Sequence, residues 1–115
     1  DAENRLCLLF LGQPELRRRL TMAVHEALAQ RIIMRFHLTA LAREELSPYL
    51  THRLQLAGAT QPLFEPAAEE ALYQATSGLP RKINLLAHHA LMAAALSRAR
   101  IATADHVQAA LPEVA

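Results

Sequence analysis

The sequence predicts a mostly helical fold in which two short strands, the remnant of a parallel α/β sheet, precede about four helices. Three observations predict it. Residues 5 to 11 read Arg-Leu-Cys-Leu-Leu-Phe-Leu, a continuous apolar run of the kind buried on both faces of a parallel sheet. From Thr39 onward the chain turns Ala- and Leu-rich, with apolar residues three and four apart, the period of a helix that buries one face. Of 115 residues, 52% are hydrophobic and 20% charged. No run approaches the roughly 18 apolar residues of a membrane span, so an ordinary globular domain is expected.

Taken in order, residues 1 to 4 lack the basic and apolar segments of a signal peptide, and the chain is expected to be a piece of a longer one. Gly12 ends the first strand. Pro14 is preset for a first helical turn and Glu15 suits its positive end, giving a short helix to Leu20 that carries Arg17, Arg18 and Arg19. A second short helix is expected from about Ala23 to Gln30. Ile32, Ile33, Met34, Phe36 and Leu38, interleaved with Arg35 and His37, predict a second, half-exposed strand. Beyond it no strand signal remains.

Ala42 to Leu56 spaces Leu46, Tyr49, Leu50, Arg53, Leu54 and Ala57 as a helix stopped by Gly58, with Pro48 in its early turns. Phe64-Glu65-Pro66 opens a helix with Leu72 and Tyr73 inward, closed by Ser77-Gly78. The longest helix is expected from Leu79-Pro80 to about Arg98, with Ile83, Leu86, Ala87, Ala90, Leu91, Ala94 and Ala95 as its apolar stripe. Thr103 caps a last helix, Ala104 to Leu111, with Asp105 in its first turn. The expected division is residues 1–40, holding the strands, and 41–115, all helix.

Much chemistry is excluded. Twelve Lys plus Arg against eleven Asp plus Glu give a net charge of +1, which makes no case for a nucleic-acid or membrane-surface protein. The lone Cys7 has no internal disulfide partner, and among Leu and Phe it is expected to be a buried thiol in a reducing compartment. Lys82 is the sole lysine, outside any Gly-rich phosphate loop, and the two Asp residues, Asp1 and Asp105, end no apolar strand where Mg²⁺ could be held. His88 and His89 are adjacent and face apart on a helix, the other four His are scattered, and no metal site is expected.

Three polar residues at element ends stand out. Gln13 follows the first strand, at the edge of a parallel sheet where ligands bind, or simply caps a turn. Arg31 lies between a helix and a strand, where a guanidinium can stabilise phosphoryl charge or merely be solvated. Arg81 occupies the first turn of the longest helix, where a cation opposes the macrodipole and a nearby anion would account for it.

In this order the three features resemble the second half of an AAA+ ATPase. The runs LLFLGQPEL (Leu8 to Leu16), LAQRIIMRFHL (Leu28 to Leu38) and GLPRKIN (Gly78 to Asn84) are similar to the ExeA-type family of secretion-pathway ATPases and its transposition-associated relatives, across nearly the whole chain. The resemblance implies a remnant of a P-loop core followed by an AAA+ helical lid. It matches Gln13 to sensor 1, Arg31 to an arginine finger acting in trans, and Arg81 to sensor 2. It implies ATP and Mg²⁺ for the full-length protein and none for the fragment alone, whose Walker A and B segments would lie upstream. It further implies a homo-oligomer, a secretion-machinery or transposase partner, DNA contact through Arg17 to Arg19, and a cytoplasmic protein that reaches a membrane only through other regions or partners. Beside it stand a nucleotide-free helical interaction module and a DNA-binding module, in which the arginines are solvated or meet phosphate backbone.

Lacking a phosphate loop, this chain alone is expected to bind no Mg-ATP in calorimetry; micromolar affinity would overturn that reading.

Overall fold

Prolines open three of the helices, and residues of left-handed conformation lie at or just past the ends of three. The structure, a computed structural model, describes residue 3 and residues 5–114. These fall into two units, one through His37 and one from Leu38.

In the first unit Pro14 stands at the first position of α1 (Pro14–Arg19), with Gln13 as N-cap and Glu15 in the first turn. Arg17, Arg18 and Arg19 form its last turn, the favourable end for cations, and Arg18 pairs with Glu15 at 3.3 Å. The expected second helix is split into a 3₁₀ turn, Ala23–His25, and α2 (Glu26–Arg31). Arg35 donates to the Ala29 carbonyl at 2.8 Å, covering an orphan group at the end of α2.

Neither predicted strand forms among the described residues. Residues 5–13 and 32–42 are irregular, and the apolar side chains meant for a sheet interior lie open, Leu11 at 82% and Ile33 at 96% exposure. A strand is held by a ladder to a neighbour, and neither segment has one here. Cys7, expected to be buried, is exposed for the same reason.

The second unit is a four-helix domain. Its first helix is α3 (Arg43–Leu56), where the Glu45 carboxylate accepts the Ala42 N–H at 3.0 Å. Ala42 has no side-chain oxygen to return the bond, so only half of a capping box forms. Pro48, at the sixth position, denies the Glu44 carbonyl its helical donor. Helix α4 (Pro66–Thr76) closes on Ser77 at φ 53° and Gly78 at φ 79°, both left-handed. Helix α5 (Pro80–Leu96) stops two residues short of the expected Arg98, which itself is left-handed at φ 57°. Helix α6 (Ala104–Val114) runs three residues further than expected, through Pro112.

The core joins all four helices. Leu46 and Leu50 of α3 meet Ala68 and Leu72 of α4, Ile83, Leu86, Ala87, Ala90 and Ala94 of α5, and Val107 and Ala110 of α6. The expected α5 stripe is buried in this way except for half-buried Leu91 and exposed Ala95. One parallel bridge, Phe64 to Ala102, supplements the helices: Glu65 N–H donates to Ala102 O at 3.0 Å, and Ala102 N–H to Leu63 O at 2.7 Å. Both bridge residues are buried and tie the segments that enter α4 and α6.

The segment entering α3 docks on the turn between α4 and α5. Leu41 N–H donates to the Gly78 carbonyl at 2.9 Å, and the Leu41 carbonyl oxygen fills the space that a Cβ at position 78 would take. Gly78→Ala therefore combines left-handed strain with a backbone clash and is expected to cost at least about 2 kcal/mol of unfolding free energy. Gly58, at φ 99° with nothing within 4 Å of its would-be Cβ, carries strain alone. Gly58→Ala is expected to cost about 1 kcal/mol. Equal losses in urea unfolding would show that the Leu41 contact adds nothing.

Candidate functional site

Gln13, Arg31 and Arg81 each sit at a helix end. Gln13 precedes α1; its carbonyl accepts Leu16 N–H at 2.8 Å and its exposed side chain makes no capping bond. Arg31 is the last residue of α2 and is exposed. Arg81 follows Pro80 in the first turn of α5, also exposed. Gln13 and Arg31 belong to the first unit and Arg81 to the second. Among the described residues no hydrogen bond or ion pair engages either guanidinium.

Their electrostatic settings differ. Arg31 complements the negative end of α2, as Arg17 to Arg19 complement that of α1. Arg81 and the neighbouring Lys82 put two cations at the positive end of a 17-residue helix that has no acidic residue in its first turn and no side-chain cap on Leu79. Such a turn is disfavoured by itself and suits an anion. Each of these side chains can donate to phosphate oxygens, and none of them offers a carboxylate for Mg²⁺.

The hollows lie elsewhere. An open one of about 520 Å³ in the first unit is bordered by Met22, Glu26 and Arg35, and neither Gln13 nor Arg31 lines it. One of about 170 Å³ in the second unit lies between the end of α3 and the segment before α4, and is not lined by Arg81.

Sequence reasoning missed three polar clusters. Arg43 pairs with Glu70 and lies 5.1 Å from the Tyr73 ring centroid, joining α3 to α4. Tyr49 donates its hydroxyl to Asn84 Oδ1 at 2.6 Å, joining α3 to the start of α5. His106 accepts the Thr103 N–H on Nδ1 at 3.0 Å and lies 2.9 Å from the Ser97 hydroxyl through Nε2. This hydrogen-bond pattern assigns the ring proton to Nε2, and one imidazole then links the end of α5 to the start of α6. Thr followed three residues later by a side-chain acceptor is a capping-box spacing, legible in principle had His been admitted beside Glu and Gln.

The domain defined by these elements is a four-helix unit whose longest helix begins with two cations, preceded by a smaller unit of short helices. In sequence the chain is 42% identical over 94 residues to general secretion pathway protein A of Aeromonas hydrophila. The match covers 82% of this chain and 17% of that protein, so the chain spans under a fifth of the relative's length. No protein-family model matches the chain, and no solved structure does. Among the described residues no helix is long and apolar enough to cross a membrane.

Clear pKa shifts fall on the α3–α4 pair. Hydrogen bonds from Gln74 and then from Arg43 hold the Glu70 carboxyl below the usual carboxylate range, and Glu70 raises Arg43. A carboxyl lowered on folding stabilises above its unfolded value, and that contribution fades as pH falls through the folded value. Side-chain NMR titration is expected to show the Glu70 midpoint rising in both Gln74→Ala and Arg43→Gln, more in the former. Unchanged midpoints would remove both partners from the account.

Proposed function

We propose that the chain is the sensor-and-lid part of an AAA+ ATPase of the ExeA-like secretion-pathway family. In this reading residues 1–40 complete the back of an ATPase core and residues 41–115 form its lid. Gln13 serves as sensor 1, Arg81 as sensor 2, and Arg31 as a finger directed at the nucleotide of a neighbouring subunit. The observation that carries the reading is the first turn of α5, which gathers Arg81 and Lys82 without an acid or a cap. The similarity to a general secretion pathway protein supports it and favours secretion over transposition.

The exposed apolar segments of the first unit agree with it as well. Leu6 to Leu11 and Ile33 to Leu38 have sheet-forming sequences and no partner strand here, as expected of strands whose neighbours lie in another part of a longer protein. That part would also supply the phosphate loop and the carboxylates for Mg²⁺.

When bound, ATP supplies a phosphoryl group whose transfer to water can drive a conformational change. The chain's own residues orient and stabilise. Arg81 binds phosphate oxygens and draws the lid toward them, and Gln13 offers an amide hydrogen to the terminal phosphate. Arg31 stabilises the charge spread over the phosphoryl oxygens in the transition state. A finger acting in trans requires a homo-oligomer, with the secretion machinery as the partner moved by turnover. DNA contact draws less support, because Arg17 to Arg19 already have a role at the negative end of α1.

A second reading, a nucleotide-free helical interaction module, is favoured by Leu85, Met92 and Leu96, exposed along α5 at helical spacing.

Mixing subunits separates the two. Full-length Arg31→Ala protein is expected to bind ATP normally and to hydrolyse it about a thousandfold more slowly, within the range for arginine fingers. Subunits with a disabled phosphate loop and an intact Arg31 should restore turnover in mixed oligomers. Mixed oligomers that form without rescue would remove the trans role, and parental turnover by Arg31→Ala and Arg81→Ala alike would leave the interaction module.

A further inference from the structure

We propose that Tyr49 and Asn84 are positioning residues for Arg81, a proposal that rests on the nucleotide-sensing role given to Arg81 above. Arg81 lies midway between two ties to a single stretch of chain. Three residues before it, the Gly78 carbonyl accepts Leu41 N–H at 2.9 Å. Three residues after it, Asn84 Oδ1 accepts the Tyr49 hydroxyl at 2.6 Å. Leu41 and Tyr49 both belong to the segment that leaves the first unit and becomes α3. Gly78 and Asn84, which bracket the first turn of α5, are thus both tied to the stretch that enters α3.

The Tyr49–Asn84 bond has no substitute among the described residues. The other side-chain hydrogen bonds that α3 makes to a neighbouring helix, Arg43 to Glu70 and Ser47 to Glu69, go to α4. The aliphatic contacts of α3 with the core constrain its distance from α5, but a hydrogen bond is directional and fixes rotation as well. Asn84 is one helical turn beyond Arg81, so the two are neighbours on the α5 surface and the rotation that suits one sets the other. The bond itself lies at an exposed edge, with Asn84 open and Tyr49 half-buried, where it adds little to stability. Its effect falls on where the cation stands, and a charge displaced by about 1 Å from its phosphate can cost up to about a hundredfold in rate.

The test uses the full-length protein and reads kcat, KM for ATP and the thermal unfolding midpoint. Arg81→Ala should lower turnover. Tyr49→Phe, which keeps the ring and removes only the hydroxyl, and Asn84→Ala should each lower kcat about tenfold while the unfolding midpoint stays near that of the parent. The pair should be coupled, so that Tyr49→Phe with Asn84→Ala is no slower than either alone. Because the bond acts through Arg81, Tyr49→Phe should add no further loss in the Arg81→Ala background. Parental kinetics for Arg81→Ala would overturn the sensing role and this proposal with it. A slow Arg81→Ala together with a parental Tyr49→Phe, or with a Tyr49→Phe loss that persists in full without Arg81, would overturn the positioning role alone.

Discussion

The arrangement of the second unit depends on one backbone approach, the Leu41 carbonyl seated where residue 78 would carry a side chain. Glycine alone leaves that space, and glycine alone adopts φ 79° without strain. Ser77 enters the left-handed region just before it, so the chain reverses within the few residues from Thr76 to Pro80. Leu41 then closes the turn by donating to the Gly78 carbonyl. Beyond this point α3 packs on α4, and the polar pairs Arg43–Glu70 and Ser47–Glu69 join the two helices. Leu46 and Leu50, four apart, are thereby turned to the core.

The core itself is built for close approach. Ala87, Ala90 and Ala94 give α5 a buried face of small side chains, and Ala68, Ala102 and Ala110 meet the same interior from other elements. Bulk comes from Leu72, Ile83, Leu86, Val107 and Phe64. Small faces let helix axes come near, and they also leave no room for larger residues, since overpacking displaces backbone as well as side chains. The result is a unit whose helices have little room to slide past one another. Thr76, the buried polar side chain at the end of α4, conforms by donating its hydroxyl to the Leu72 carbonyl at 2.7 Å.

Legibility followed the range of the interactions. The four helices of the second unit were readable because their signals are local: Pro66 and Pro80 at first positions, Ser77-Gly78 at a left-handed stop, and apolar residues at helical spacing. Their ends shifted by a few residues, as with α6, which continues through Pro112. The strands were misread for the opposite reason. Leu6 to Leu11 has the composition of a buried strand, but composition specifies only what a segment would do beside a partner. The Phe64–Ala102 bridge was invisible because it joins residues 38 apart with no alternating pattern at either. Of the candidate site, Gln13, Arg31 and Arg81 could be named from their places at element ends, whereas Tyr49 looked like one more apolar residue on α3 and its bond to Asn84 depends on how two helices pack.

The charges at helix ends finally separate the arginines from one another. Arg17 to Arg19 and Arg31 occupy last turns, where the helix itself favours a cation, so their positions cost the fold nothing. Arg81 and Lys82 occupy a first turn, where each works against the helix by a few tenths to about 1 kcal/mol. No acid offsets them there, although the helix they open continues into a core of buried residues from all four helices. A local preference overridden at one site, in a unit otherwise consistent with its local signals, is the pattern expected where a residue answers to a ligand. Under the proposed reading an anion at this turn would relieve that opposition, and the ties at Gly78 and Asn84 would hold Arg81 in place for it.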